Sequence, residues 1–556
     1  MKRLLFLLLI PVYYGVAFGL PTLNFSDIIS APKTGGIDGK GAIVTIWGNN
    51  LGSEQGVSTV TCCGIGAANV VSWGNATAPS DLYTYHKMQK VSFTIDPVAT
   101  DGLGEITVTV GGVVSNALPF TVRSGNIYFV KTTGNDSTGD GSWGTPWATI
   151  IKAKDTIAAG DIAYICDGIK QDAEDAYNSC VNLDTHGTAD NPKAFIAYPG
   201  ATVTVGTTSV TSGFGTWVTG GAGGYSASFW VISQFYVTPE TSAVGISTGT
   251  RVVGNNITVP TGTGGAAALE FGKSSTTVLG NELYNCGTAN ASKLYHSVYV
   301  NNHTYATISN IEIGWNIIRN STGNRGIQVY SDGTGSAGIS GVTIHDNVIH
   351  DIRGNGLNIN RQCTGTFEIY NNLIYRCGLG PDFYDGLTSY SGLYVASSLN
   401  SANVYFYNNT MYDCGNSLYP QDSGFLEIQS DFVGNIYMKN NIIYSTGEEH
   451  EPYMVSSDDG IDSGDNYNLF YGTGTAPSWD TAAINLHPQL TDKDTDDYSL
   501  SSISPCVNAG ADTTAVVATD ILGAARPQGA SVDIGAYELA TGLLGASVTY
   551  WWIIGN

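Results

Sequence analysis

The sequence predicts an all-β protein: a long right-handed parallel β-helix preceded by a β-sandwich. Three observations lead there. An Asn-centred phrase recurs through the second half, as "LGNELYNC", "GWNIIRNS", "HDNVIHDI", "YNNLIYRC", "YNNTMYDC", "KNNIIYST" and "DNYNLFYG". A second phrase lies between its copies ("HSVYV", "RGIQV", "NGLNI", "SGLYV", "SGFLEI"), with apolar residues at alternate positions. The stretch before residue 124 is short alternating strands broken by Gly and Asn turns.

The aligned asparagines are Asn281, Asn316, Asn347, Asn372, Asn409, Asn441 and Asn468, spaced by 35, 31, 25, 37, 32 and 27 residues. A repeat of that length built of short strands is a solenoid, and variable insertions leave its coil intact. An Asn at one turn of every coil can hydrogen-bond to its neighbours above and below. It also tolerates the left-handed backbone such a turn needs. In the intervening phrase Val298 and Val300, or Ile327 and Val329, point inward and the residues between them point out. Cys286, Cys377 and Cys414 fall five residues after their Asn and read as a buried ladder of small apolar side chains rather than disulfides.

The chain has 556 residues, enough for two or three domains, with a net charge of −24 and only 13% charged residues. That balance speaks against nucleic-acid binding, which needs a basic face. It would repel anionic substrates unless positive charge or bound cations are concentrated locally. "MKRLLFLLLIPVYYGVAFG" has a basic start, an apolar run and a small-x-small end, the pattern of a secretory signal, residues 1–19, cleaved after Gly19. No later stretch is long and apolar enough to span a bilayer. The expected location is extracellular or at the cell surface. Export allows disulfides, and Cys166 and Cys180 could close a loop, whereas adjacent Cys62 and Cys63 do not easily bond each other. No CxxC or Cys/His zinc spacing occurs.

Residues 20–123 contain "GAIVTIWGNNLGS", "VSFTIDP" and "GEITVTVGGVVSNALPFTV". With G-x-N-L-G after an early strand and S-N-x-L-x-F-x-V at the end, this unit resembles the IPT/TIG immunoglobulin-like domain, which implies a spacer or binding module. Residues 124–200 open with "NIYFVKTTGNDSTGDGSWGTPWATIIKAKDTIAAGDIAYICDG". They are similar to the first turn of secreted right-handed β-helix proteins of the pectin-lyase-like superfamily, in which a short helix ("ATIIKAKDTI") caps the coil. The coil proper is expected over 201–475. At 476–540, "LHPQLTDKDTDDYSLSSISPCVNAG" and "DILGAARPQGASVDIGAYE" resemble the closing segment of many secreted bacterial β-helix proteins. The apolar tail 541–556 follows, to pack on the last coil or meet a partner.

The bore of such a coil is filled, so function belongs on an outer face. Stacking the second phrase puts Tyr299, Gln328, Asn358 and Tyr394 in one outward column, and Glu270, Asn301, Tyr330, Asn360 and Ala396 in the next. His296, Arg325, Asn355 and Ser391 precede the strands. Tyr, Asn, Gln and Arg side by side suit sugar rings and hydroxyls, with Arg361 beside them. Residues 251–376 hold eight Lys or Arg, namely Arg251, Lys273, Lys293, Arg319, Arg325, Arg353, Arg361 and Arg376, against three in 377–556. That concentration could hold an acidic polysaccharide.

"EFGKSSTTVLGNELYNC" also resembles the E-x-I-x-x-K-S…N-x-[YF]-x-N-C stretch of polysaccharide lyases of the chondroitinase B and alginate lyase type. The resemblance implies Lys273 as the base and Glu270 as a Ca²⁺ ligand, with Asn301 beside it. It expects an Arg near Leu294–His296, where His296 is the local substitute. Glu270 lies closer to Lys273 than in that family. β-Elimination needs the uronate charge neutralised and a base tuned to working pH, and Lys273, His296 and Arg325 supply those types. Two other functions remain open. A glycoside hydrolase needs paired carboxylates, available from Asp382, Asp385, Asp422 and Glu427. A non-catalytic glycan binder, adhesin or structural surface protein needs only the aromatic platform. "SSDDGIDSGDNYN" gathers Asp458, Asp459, Asp462 and Asp465, either a structural Ca²⁺ site or a solvated turn.

Overall fold

The computed structural model describes residues 19–216, 227–263, 266–288, 295–302, 306–323, 325–331, 337–378, 380, 390–415, 424–445, 460–472 and 476–540. The leader up to residue 18, Lys293, Leu294, Asp382, Asp385, Asp422, Asp458, Asp459 and the tail 541–556 lie outside them.

The N-terminal unit is a β-sandwich. One sheet of four strands runs Thr22–Ser26, Ile43–Asn49, Gln89–Thr94, Asn69–Asn75 in spatial order. The facing sheet of six is built around Gly102–Val110, paired antiparallel with Leu118–Val122 and Thr59–Cys62. Val44, Ile46, Val91, Phe93, Ile106, Val108 and Phe120 fill the space between them.

Beyond it the chain winds, among the described residues, into a parallel β-helix of three sheets. The first has 11 strands, from Ile127–Val130 to Asn435–Lys439. The second has 11, from Lys170–Gln171 to Leu469–Tyr471. The third has 9, from Ser179–Asn182 to Leu426–Ile428. One continuous apolar core fills the bore, from Val130 and Phe195 to Met438 and Phe470. The short helix Ile150–Thr156 closes the N-terminal end, its first turn capped by the Thr149 hydroxyl and its Ile150 and Ala153 buried in that core. Cys286, Cys377 and Cys414 lie in the core as free thiols, and Cys166 and Cys180 are free as well.

The recurrent Asn forms an unbroken ladder. Each Oδ1 accepts from both the backbone N–H and the side-chain amide of the coil before it, at 2.8–3.1 Å, from Asn255 through Asn281, Asn316, Asn347, Asn372, Asn409 and Asn441 to Asn468. Asp480 ends it by accepting from Asn468. The left-handed residue is not the ladder Asn but the one before it: Gly254, Gly280, Trp315, Asp346, Asn371, Asn408, Asn440 and Tyr467 all have positive φ. The fixed inward role leaves the preceding position free to vary, and its side chain points at whatever docks outside.

That position maps what covers this edge of the coil. A Cβ on Gly280 would meet Phe25 at 2.5 Å and one on Gly254 would meet Trp47 at 2.9 Å, so the sandwich approaches there to backbone distance. Trp315 packs on Phe25 at 5.1 Å between ring centres. The Asp346 carbonyl meets His86 of the sandwich at 2.7 Å. From Asn371 onward the occupant changes to the closing segment. Asn371 donates to the Thr519 carbonyl, Asn408 to that of Asp533 and Asn440 to that of Ala511. The doubled Asn of "YNN", "YNN" and "KNN" is therefore one ladder residue and one docking residue. The closing segment folds back along the flank and is held by Arg526, fully buried against Glu538 at 2.9 Å. The sandwich core runs on into the outward face of the first sheet at Ile162, Tyr164, Ala194 and Ile196.

Candidate functional site

The sandwich takes the outer side of the first sheet, and the closing segment lies against the flank. The third sheet's outward columns hold the sequence-derived site residues. Inward positions of its strands begin with a small doublet member, such as Ala268, Ser297, Gly326, Gly356 and Gly392, before regular alternation resumes. Ser297 is fully buried and bonded to the Ser321 hydroxyl at 2.9 Å. Three outward columns result. The register pairs Ala267 with His296 and His296 with Arg325. It pairs Glu270, Tyr299, Gln328, Asn358, Tyr394 and Glu427 in succession. It pairs Asn301, Tyr330, Asn360 and Ala396.

Glu270 therefore belongs to the Tyr299 column, one place from where sequence alignment put it. It reaches across to Asn301, whose amide donates to its carboxylate at 2.5 Å. Two protein donors fall short of the six to eight oxygens around Ca²⁺. Among the described residues no group of three or more His, Cys, Asp or Glu could hold a metal ion. A calcium at this pair would need most of its ligands from elsewhere.

Lys273 is not brought to His296 and Arg325. It follows Phe271, which pairs with Val300, whereas His296 pairs with Ala267 at the other edge. Six residues at ~3.3 Å each separate these edges by roughly 20 Å, beyond the reach of a lysine side chain. Lys273 is half-buried and forms no hydrogen bond or ion pair with a described residue. His296 and Arg325 are strand neighbours, about 4.8 Å apart along the coil axis. Burial, and then the Arg325 cation, push the His296 imidazole well below its ordinary range, so it is neutral at neutral pH. Its ring meets Tyr299 edge-on at 4.9 Å, and its buried Nδ1 has no hydrogen-bond partner among the described residues.

Gln328 and Asn358 are buried also, at 4% and 1% exposure, and among the described residues both polar atoms of the Asn358 amide lack a hydrogen-bond partner. Buried polar groups left unsatisfied are rare and ask for an explanation. Tyr394 is half-buried, its phenol pushed up to about 12 by burial and by Glu427. Glu427 accepts from Ser391 at 2.9 Å and from Gln429 at 2.6 Å.

The face opens beside Tyr394. A polar cleft of about 340 Å³ is lined by Asn360, Arg361, Tyr394, Gln429 and Asp431. Arg361 donates to the Tyr330 hydroxyl at 3.0 Å and lies over that ring. Asp431 is held by the backbone amides of Ser397 and Ser398. Gln429 and Asp431 were missed in the sequence. They follow "SGFLEI" directly, at the strand end where Asn360 and Arg361 follow "NGLNI", and that offset was the available signal.

The basic residues between 251 and 376 do not form one patch. Arg251 donates to the carbonyl of Ser26 in the sandwich, Arg319 pairs with Glu282, and Arg376 with Asp351 and Asp496. Arg353 bonds the Thr322 carbonyl. Four of the described ones, Arg251, Arg319, Arg353 and Arg376, are engaged in ion pairs or carbonyl bonds.

The IPT/TIG domain family matches residues 25–122, the sandwich. No curated protein matches the chain. Among solved structures the chain is similar to pectate lyase Pel9A, with 17% identity, 75% of this chain and 97% of that one covered, and a TM-score of 0.46. It is similar to XylC in complex with xylose (13% identity, 74% and 98% covered, TM-score 0.40) and to the PL6 family alginate lyase AlyGC (13%, 66% and 58%, 0.33). The chain is a parallel β-helix protein with an N-terminal TIG domain.

Proposed function

We propose that this is an extracellular carbohydrate-active protein whose third-sheet face binds an acidic, uronate-containing polysaccharide and cleaves it by β-elimination. One observation carries the reading: a neutral imidazole, His296, stands beside a cation, Arg325, on the next strand of a face rich in Tyr, Asn and Gln. Arg325 pairs with the uronate carboxylate and acidifies the proton beside it. His296 removes that proton, electrons form the ring C=C bond, and the glycosidic oxygen departs, taking a proton from water. Asn358 and Gln328 supply amide hydrogen bonds to the same sugar. Calcium is not needed for any of these steps.

A second reading is favoured by one observation. His296 is 1% exposed and Asn358 as buried, while among the described residues the open cleft at Asn360, Arg361 and Tyr394 contains no histidine. A glycan binder without cleavage fits that distribution. The discriminating experiment incubates the protein with alginate, pectate, glycosaminoglycans and neutral glycans, with and without Ca²⁺. Ultraviolet absorbance of the new C=C bond is followed beside reducing ends. Rising absorbance that His296→Gln abolishes supports the lyase. Retention on an acidic-glycan column with neither signal makes the protein a binder. Reducing ends without absorbance make it a hydrolase and refute the elimination.

A further inference from the structure

Where the TIG domain meets the coil, its Lys90 enters a recessed cavity of about 90 Å³ that also takes in Tyr198, Thr202, Gln234 and Tyr236 of the coil. The Lys90 ammonium donates to the Ala78 carbonyl at 2.5 Å and to Gln234 Oε1 at 3.3 Å. Gln234 is itself fixed, its amide nitrogen donating to the Thr45 hydroxyl at 3.2 Å. An ammonium has three N–H donors, so one remains. Among the described residues no carboxylate forms an ion pair with Lys90, and neither Tyr198 nor Tyr236 makes a hydrogen bond through its hydroxyl.

We propose that this interdomain cavity is a binding site for a small monovalent carboxylate, held by the Lys90 ammonium and positioned by Gln234. The chemistry follows from charge, donors and size. Lys90 is half-buried and has no ion-pair partner among the described residues, and a carboxylate is an anion that one ammonium neutralises through a charge-assisted hydrogen bond. Phenol and threonine hydroxyls beside it are donors for the second carboxylate oxygen. At ~10–15 Å³ of cavity space per water the cavity takes several waters, which is room for a carboxylate on a short stem.

Electrostatics agree with the geometry. Burial lowers Lys90 to about 8, so it is still charged at neutral pH. Asp27, the carboxylate that acts on it, is pushed up to about 7 by burial and gives only partial compensation.

The test is thermal unfolding of the full chain in sodium acetate against sodium chloride at equal ionic strength. The expected result is a saturable, acetate-specific rise in the unfolding midpoint that Lys90→Met removes. A wild-type protein that responds no differently to acetate and chloride overturns the proposal, as does an equal acetate response in K90M. Should K90M fail to fold, reductive methylation of the wild type reads Lys90 directly by mass spectrometry. Acetate is expected to slow its modification at least five-fold relative to chloride, and equal rates overturn the proposal.

Discussion

Replacing Asn347 by leucine tests the ladder that sets the coil register beneath the candidate face. The Asn347 amide donates to the Ile313 carbonyl at 2.9 Å and to Asn372 Oδ1 at 3.0 Å. Its Oδ1 accepts from the Asn316 backbone N–H and side-chain amide, both at 3.0 Å. Asn316 Nδ2 keeps a second acceptor, the Val278 carbonyl, and Asn372 Oδ1 keeps the Asn347 backbone N–H. The Asn316 N–H and the Ile313 carbonyl lose the partner that Asn347 supplies, in a site of zero exposure. Two orphaned groups at ~1–3 kcal/mol each, plus two lost bonds at ~1 kcal/mol, less the gain from burying leucine, leave a cost of about 3–6 kcal/mol. That is a large share of the ~5–15 kcal/mol that holds a domain folded. The assay is guanidinium unfolding followed by circular dichroism, with Asn435→Leu as control. Asn435 donates to Asn403 at 2.8 Å, but at the exposed surface, so its loss should cost under ~0.5 kcal/mol. A cost for N347L below about 1 kcal/mol, or no larger than the control, would refute the reasoning.

Further outcomes follow from the same geometry. Lys273→Ala should leave any glycan cleavage within a few-fold of wild type, whereas Arg325→Ala and His296→Gln should abolish it; a dead K273A with an active H296Q reverses the assignment of the base. For His345, burial opposes protonation, but bonds to Asp346 and Glu312 outweigh it and raise the imidazole to about 9. The folded state then binds the proton more tightly than the unfolded one, so this stabilisation is complete below about pH 6.5 and is lost as pH rises to about 9. Denaturant titrations across that window should show the slope, and His345→Gln should flatten it. Arg526→Met leaves Glu538 as a fully buried, unpaired carboxylate, which should cost about 3–5 kcal/mol and expose the closing segment to protease.

Much of the fold was legible because solenoid geometry is local. A ladder Asn and two apolar alternations per coil specify inward and outward positions without knowledge of distant residues, so the Tyr299–Gln328–Asn358–Tyr394 column was readable as a string. Glu270 slipped by one column because the small doublet at each strand start, Ala268 with Leu269 or Ser297 with Val298, breaks the period of two. The first residue of each Asn doublet was also in plain view. Its meaning depended on the closing segment, which lies 71 to 148 residues away.

By itself the sequence determined the architecture: a TIG sandwich, a coil with its turn marked by Asn, and a polar outer face. Periodicity encodes those features, since each residue's direction depends only on its neighbours in the chain. Tertiary structure alone decided that Lys273 and His296 stand on opposite edges of one sheet, that most of the clustered arginines are spent in ion pairs and carbonyl bonds, and that Lys90 meets Gln234 across a domain boundary. Each depends on how far apart two strands begin and which surfaces are covered, and hydrophobic docking of whole units sets those quantities.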